Sequence, residues 1–145
     1  MSGTNAVGVE IGQLLASAHK RAARTFAESL TPLGIDGRLF GVLTTLGRLG
    51  PATQARLVTE LDGDKSTMMR TVDELEAMGL AERQAVPGDR RARAVTLTDE
   101  GRQLLKAART TADLVAGDLF AGMSAADLAT LRDLLAAFVH GRPAP

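Results

Sequence analysis

The chain has 145 residues, a length typical of one domain, and its 45% hydrophobic and 23% charged residues are ordinary for a soluble globular protein. It contains no cysteine, which excludes disulfides, thiolate metal sites and cysteine-based redox sensing. Its formal net charge is zero, which as a sum does not favour nucleic acid as a partner.

The charge is unevenly distributed along the chain. Residues 83–93 contain four arginines and one aspartate, a local charge of +3. Residues 110–139 contain four aspartates and one arginine, a local charge of −3. A basic middle and an acidic C-terminal end are compatible with a protein that presents only its middle to nucleic acid.

The N-terminus lacks the basic segment and apolar core of a signal peptide. The longest uncharged runs, such as residues 39–47, are far shorter than the ~20 apolar residues needed to span a bilayer. We therefore expect a cytoplasmic protein with no membrane partner.

Apolar residues recur with helical spacing before and after the middle of the chain. Residues 1–9 are small and are predicted to be irregular at first and helical towards their end. The predicted helices outside the middle are residues 10–30, 37–49 (capped by Asp36), 53–61, a long helix capped by Thr98 whose apolar stripe runs to Leu119, and a last helix from Ser124 to near Gly141. The last helix is expected to bury one apolar stripe: Leu128, Leu131, Leu135 and either Phe138 or Val139.

Residues 53–79 show the pattern of a helix-turn-helix. Asp62-Gly63 is a tight turn, and Asp64 stands where an N-cap residue accepts backbone N–H bonds. In the helix that follows, the apolar residues at i, i+4 and i+7 are expected to face inward: Met68, Val72 and Leu75. The residues expected on the opposite side are Ser66, Met69, Arg70, Asp73 and Ala77. Gly79 is expected to end this helix. A second helix with an exposed polar N-terminal half, following a glycine-containing turn, is typical of the helix-turn-helix.

An α-helix fits the major groove of B-DNA, and its N-terminal residues reach the base edges. The residues in that position are Lys65, Ser66, Thr67, Met69 and Arg70. Arg70 is expected to bond a guanine through two hydrogen bonds, and Ser66 or Thr67 to contact a base or a phosphate.

Two extended segments, residues 80–86 and 91–97, flank Pro87-Gly88-Asp89-Arg90, a natural hairpin tip. A hairpin after a helix-turn-helix is typical of a winged helix, so the sequence predicts a mainly α fold with a small β-wing and about six helices.

Three arginines on this hairpin, Arg90, Arg91 and Arg93, are expected to enter a minor groove, where concentrated negative potential attracts arginine. Asp89 is expected to hold Arg91 or Arg83 through a charge-assisted hydrogen bond, which makes Asp89 and Arg83 supports of the wing. Taken by themselves, the three arginines could instead be ordinary solvated residues of a surface hairpin that binds no DNA. A winged helix that binds protein, without operator-specific DNA binding, is the alternative for the whole chain.

An enzyme is not expected. The sequence has no P-loop, no dinucleotide-binding glycine motif and no nucleophile elbow. Its two histidines, His19 and His140, are far apart, so no metal site, catalytic residue or cofactor is predicted.

Several short motifs resemble the multiple antibiotic resistance regulator (MarR) family, and their order and spacing are specific between Gly50 and Leu105. The motifs are DKST at 64–67, LEAMGL at 75–80, ER at 82–83, DRRAR at 89–93 and LTDEG at 97–101. GPATQ at 50–54 also resembles the start of the family's helix before the recognition helix, which adds Thr53 and Gln54 to the DNA-binding candidates.

The resemblance implies a homodimer that binds double-stranded DNA at a pseudo-palindromic operator, commonly as a repressor released by a small aromatic ligand. It also implies that the first and last helices of both chains interlock. We therefore expect one domain over residues 1–145, in which residues 1–35 and 110–145 form the dimerisation helices and residues 36–109 the winged-helix lobe. The absence of cysteine separates the chain from the oxidation-sensing branch of the family, and the absence of tryptophan separates it from the urate-responding branch.

A ligand site is only weakly indicated. His19, Arg24 and Phe40 lie on or near the helices that would line it. An ordinary half-buried histidine and a packing role for Phe40 are the alternatives, as is a regulator that has no ligand.

Overall fold

The computed structural model describes residues 2–141 of the chain. These residues form six α-helices, one 3₁₀ turn (Thr31–Leu33) and three β-strands. The helices are α1 (Ser2–Leu30), α2 (Gly37–Leu49), α3 (Gln54–Leu61), α4 (Lys65–Ala77), α5 (Asp99–Leu119) and α6 (Ala125–His140). The strands are β1 (Ala52–Thr53), β2 (Ala81–Val86) and β3 (Asp89–Leu97). The predicted winged helix-turn-helix with about six helices is confirmed.

The sheet is antiparallel, and β3 lies between β1 and β2. Val95 in the centre is paired with Ala52 on one side and Arg83 on the other. The hairpin tip is shorter than predicted because β3 starts at Asp89, and Gly88 (φ 83°) supplies the left-handed turn. Strand β1 was not predicted, since two residues are too few to show an alternating pattern.

One hydrophobic core joins α2, α3, α4, the sheet and the first half of α5 to the end of α1. Leu43, Leu57, Val72 and Leu75 are completely buried in it. The caps of the core helices form as expected, with Asp36 accepting from the Leu39 N–H at 3.0 Å. The core therefore holds the helix-turn-helix and the root of the wing as one unit.

Helix α1 begins at Ser2, so the expectation of an irregular N-terminus is wrong for the described residues. The prediction failed because Gly3 and Gly8 have low helix propensity, which favoured an irregular segment in the sequence. Met1 and residues 142–145, the ends of the two predicted dimerisation segments, lie outside the described residues.

Helix α6 buries none of its residues within the chain, which contradicts the predicted stripe. Leu128 and Leu131 are half-buried, whereas Leu135, Phe138 and Val139 are exposed, Phe138 to 72%. The first half of α1 is exposed in the same way, at Val7, Val9, Ile11 and Leu14. The prediction failed because amphipathic spacing identifies an apolar face but not which molecule covers it.

No helix within residues 2–141 combines the length and apolarity needed to cross a membrane.

Candidate nucleic-acid interface

Helix α4 has one face fixed in the core and the other in solvent. Met68, Val72 and Leu75 are buried, as predicted. The predicted outer residues are exposed: Ser66, Met69, Arg70, Asp73 and Ala77. Val72 and Leu75 have no accessible surface, so rotation of α4 about its axis would expose apolar area and is unfavourable. The face that carries Arg70 is therefore held outward.

The N-terminus of α4 is capped as predicted. The Asp64 carboxylate accepts the Thr67 N–H at 2.8 Å, and this backbone hydrogen bond lowers the pKa of Asp64. Because the folded-state pKa is depressed, the stabilisation by the cap is present above the ordinary aspartate pKa and is lost as pH falls through the lowered value. Lys65 and Ser66 are exposed beside the cap, whereas Thr67 is half-buried.

The helix before α4 is positioned by Thr53, whose hydroxyl accepts the Arg56 N–H at 3.2 Å and caps α3. Thr53 is exposed and Gln54 is half-buried. The turn between α3 and α4 passes through Asp62, which adopts a left-handed conformation (φ 50°) that aspartate tolerates.

Arg83 on β2 joins the wing to α4. Its guanidinium bonds Asp73 and Glu76 at 2.7 Å each. On the other side of α4, Arg38 bonds Glu74 at 3.1 Å. These arginines oppose the negative charge of the C-terminal half of α4, which would otherwise repel a phosphate backbone. Arg83 connects β2 to α4 through Asp73 and Glu76, whereas a bond to Asp89 was one of the predicted alternatives.

Asp89 bonds Arg91, one of its two predicted partners, but through the Arg91 backbone and not through the guanidinium. Its carboxylate accepts the backbone N–H groups of Arg91 at 3.0 Å and Ala92 at 3.3 Å, and Arg83 bonds Asp73 and Glu76 instead. Asp89 follows Gly88 directly, where a short acidic side chain reaches its own backbone two residues on. It shapes the tip of the wing and leaves the arginine side chains unrestrained by this bond.

The wing arginines Arg90, Arg91 and Arg93 are all exposed. Side chains alternate along a regular strand, so Arg93 shares the sheet face that carries buried Val95 and Leu97 nearer the core. The pairing of β2 with β3 is irregular beyond Arg93, in the segment that carries Arg90 and Arg91. The structure therefore brings together two exposed cationic features on one rigid lobe, the N-terminal half of α4 and the wing.

The three ligand-site candidates differ in their exposure to solvent. His19 and Arg24 are exposed on α1. Phe40 is half-buried and packs edge-on against Phe26, with 5.0 Å between the ring centroids. The packing alternative describes Phe40 best.

A groove of about 510 Å³ lies elsewhere, between the C-terminal end of α2, the end of β3 and the first half of α5. This groove was not predicted from the sequence. One indication of a basic surface on α5 was present in the sequence. Arg102, Lys106 and Arg109 recur at i, i+4 and i+7 and so share one face of this helix.

Comparison with known proteins is consistent with this architecture. The MarR family model matches residues 33–92. Over 130 residues the chain is 33% identical to the HTH-type transcriptional repressor NicR of Pseudomonas putida, a match that covers 87% of this chain and 82% of NicR.

Two solved structures share the fold over most of their length. A mutant of MarR from E. coli complexed with operator DNA has a TM-score of 0.81 and 27% identity, covering 88% of this chain and 91% of that chain. BpsR of Bordetella bronchiseptica, whose DNA binding is regulated by 6-hydroxynicotinic acid, has a TM-score of 0.81 and 26% identity, covering 90% and 98%. With its helix-turn-helix, wing and extent of identity to NicR, the chain belongs to the MarR family of DNA-binding transcriptional regulators.

Proposed function

We propose that this regulator is a homodimeric repressor of a pseudo-palindromic operator, and that a small aromatic acid releases it. In each protomer, α4 reads the major groove and the wing grips a neighbouring groove. The observation that carries the proposal is the outward face of α4, where Ser66, Met69 and Arg70 are exposed opposite completely buried Val72 and Leu75.

The proposed contacts follow from this geometry. Lys65, Ser66 and Arg70 provide hydrogen-bond donors at the end of a helix whose dipole attracts phosphate. The remaining proposed contacts at the edge of this surface are Thr53, Gln54, Thr67, Met69, Arg90, Arg91 and Arg93. A basic middle segment in a chain of zero net charge reconciles the composition with DNA binding.

Dimerisation is supported by the apolar faces left uncovered in one chain. Leu134, Phe138 and Val139 on α6 are exposed to 62%, 72% and 67%, and Val9 on α1 to 64%. Contiguous apolar surface of this kind marks a protein interface. We propose that residues 1–35 and 110–145 form that interface and that residues 36–109 form the DNA-binding lobe.

Repression and release are supported by relatives. NicR is named a repressor, and the DNA binding of BpsR is regulated by 6-hydroxynicotinic acid. An aromatic acid is therefore the ligand class that we propose here.

A fluorescence anisotropy titration tests the proposed function. The labelled duplex covers the DNA upstream of the protein's own gene, and a shuffled duplex of equal length and composition is the control. We expect sub-micromolar binding that prefers the native duplex and weakens as salt rises. Equal affinity for both duplexes would instead support a winged helix that binds protein.

Arg91→Ala is expected to weaken binding to native and shuffled duplexes by the same factor. A wing arginine on a phosphate contributes sequence-independent affinity, so the slope of log K against log salt should fall by about one unit. The measurement is anisotropy at several salt concentrations, with Arg48→Ala on α2 as the control, since Arg48 lies outside the proposed DNA contacts and the proposed dimer interface. An unchanged slope would remove Arg91 from the phosphate contacts.

Met69 is 49% exposed on an otherwise polar surface, and we expect it to contact the methyl group of a thymine. Replacing that thymine with deoxyuridine removes one methyl group and should cost about 0.8 kcal/mol of binding free energy. In Met69→Ala the same base change should cost nothing. A penalty of equal size in both proteins at every thymine would show that Met69 does not read the methyl group.

A further inference from the structure

We propose that Arg38 is a positioning residue for DNA reading, because it holds α4 in the place from which Arg70 reaches a base edge. Arg38 lies on α2 and is not among the proposed DNA contacts. Its role rests on the proposed function, since the position of α4 matters for binding only if α4 reads the major groove.

The Arg38 guanidinium connects the start of α2 to the middle of α4. Its Nη1 donates to the Thr71 hydroxyl at 3.2 Å, and its Nη2 donates to the Glu74 carboxylate at 3.1 Å and to the Asp36 carboxylate at 3.0 Å. Asp36 also caps α2 by accepting the Leu39 N–H. Because a guanidinium is planar and its donors are fixed relative to one another, these bonds define both a distance and a direction between the two helices.

The bond to Thr71 reaches the packed side of α4. Thr71 is 2% exposed, and its hydroxyl donates to the Thr67 carbonyl oxygen at 2.8 Å while it accepts from Arg38. The carboxylates of Asp36 and Glu74 are, by contrast, about half exposed. Arg38 is therefore joined to the part of α4 that is held in the core, and not only to solvated acids.

Arg38 and Arg83 contact opposite flanks of α4. The flank next to Arg38 carries residues that recur at i, i+4 and i+7: Thr67, Thr71 and Glu74. The other flank carries the two acids that Arg83 bonds from the wing: Asp73 and Glu76. The outward face with Arg70 lies between the two flanks, so each arginine restrains the helix from one side.

Apolar burial alone does not place α4 precisely. The hydrophobic effect is non-directional, so Val72 and Leu75 determine which face points inward but restrain a small shift less than directional hydrogen bonds do. Two bonds from Arg70 to one guanine need donors within about 0.5 Å of the right place. A small displacement of α4 therefore weakens sequence-specific binding, whereas the general attraction for phosphates hardly changes.

The test compares the full-length wild type with Arg38→Gln by anisotropy titration on the native and shuffled duplexes. We expect the ratio of native to shuffled affinity to fall about tenfold. The slope of log K against log salt should not change, because no phosphate contact is lost. The unfolding temperature should fall by no more than about 4 °C, since ion pairs this exposed contribute little to stability.

Arg48→Gln is the matched control. Arg48 is also an exposed arginine of α2, but it pairs with Glu60 of α3 and not with α4. Its affinity ratio should equal that of the wild type. In NMR spectra of the free protein, the backbone amides of Met69 and Arg70 on the outward face should shift in Arg38→Gln and remain in place in Arg48→Gln.

Two further variants separate the position of α4 from its charge. Arg38→Lys keeps the charge and loses the forked geometry, so it should bind the shuffled duplex like the wild type and still have a lowered affinity ratio. In an Arg70→Ala background, Arg38→Gln should lower the ratio by no more than about twofold, because both residues act through the same base contact.

An affinity ratio in Arg38→Gln equal to that of the wild type overturns the proposal. Equal weakening on both duplexes, with a salt slope lower by about one unit, also overturns it, because Arg38 would then be a phosphate contact. The same holds for full recovery of the ratio in Arg38→Lys, for independent losses in the double variant, and for a larger fall in the unfolding temperature, which would make Arg38 a residue of the fold. A wild-type protein that does not prefer the native duplex would instead refute the proposed function itself.

Discussion

Gly101→Ala is expected to destabilise the folded protein by about 3 kcal/mol. A Cβ at residue 101 would overlap the carbonyl oxygen of Leu80, which is backbone and not the flexible end of a side chain. Neither partner can retreat easily, because the Leu80 carbonyl accepts the Thr98 N–H at 3.1 Å and the Leu80 N–H bonds the Leu75 carbonyl at 2.9 Å. This contact sets α5 against the end of α4 and the start of the wing.

Denaturant unfolding at fixed protein concentration measures this effect, since the stability of the proposed dimer depends on concentration. Gly117→Ala in the same helix is the matched control, because a Cβ there meets nothing within 4 Å. That control should be neutral or stabilised by up to about 1 kcal/mol, as alanine favours a helix over glycine. Equal stability of the two variants would contradict the close approach of α5 to Leu80.

Arg70→Ala is expected to cost ~1–3 kcal/mol of binding to the native operator and to relax base preference at one position of each half-site. Arg70 is exposed on the outward face of α4 that we propose reads the major groove, and a guanidinium can bond guanine O6 and N7 together. Removing the guanidinium takes away a pair of hydrogen bonds that guanine accepts and the other bases do not.

The measurement is anisotropy against operators substituted one base pair at a time. Arg70→Lys is the matched variant, because it keeps the charge and loses the forked geometry. It should retain salt dependence and lose much of the preference for guanine. A uniform loss on every operator variant would make Arg70 a phosphate contact.

Local features of the fold could be predicted well from the sequence because their causes are local. The cap at Asp64, the buried face of α4 and the glycine at residue 79 depend on spacing within a few residues, and all three are observed. Gly101 belongs to LTDEG, one of the motifs that resemble the MarR family. The sequence does not show why this residue is glycine. The reason is tertiary, because the backbone of Leu80 lies where a Cβ at residue 101 would be.

The remaining features depend on tertiary neighbours. Asp89 has both backbone N–H groups and arginines within sequence reach, and only the hairpin geometry shows that it bonds the backbone. The groove combines Leu46, Leu97 and Lys106 from distant segments, so no single segment indicates it. The face of α6 was correctly identified as apolar, but no residue of α6 is buried within the described chain.

We propose that a dimer reads its operator with two-fold symmetry. The most direct test is a hydroxyl-radical footprint of the protein on the DNA upstream of its gene. If two α4 helices read two half-sites, the protected patches should be symmetric, with centres about 34–36 Å or one helical turn apart, and Arg70→Ala should weaken both patches equally. Protection of a single patch, or uniform protection without symmetry, would contradict the account.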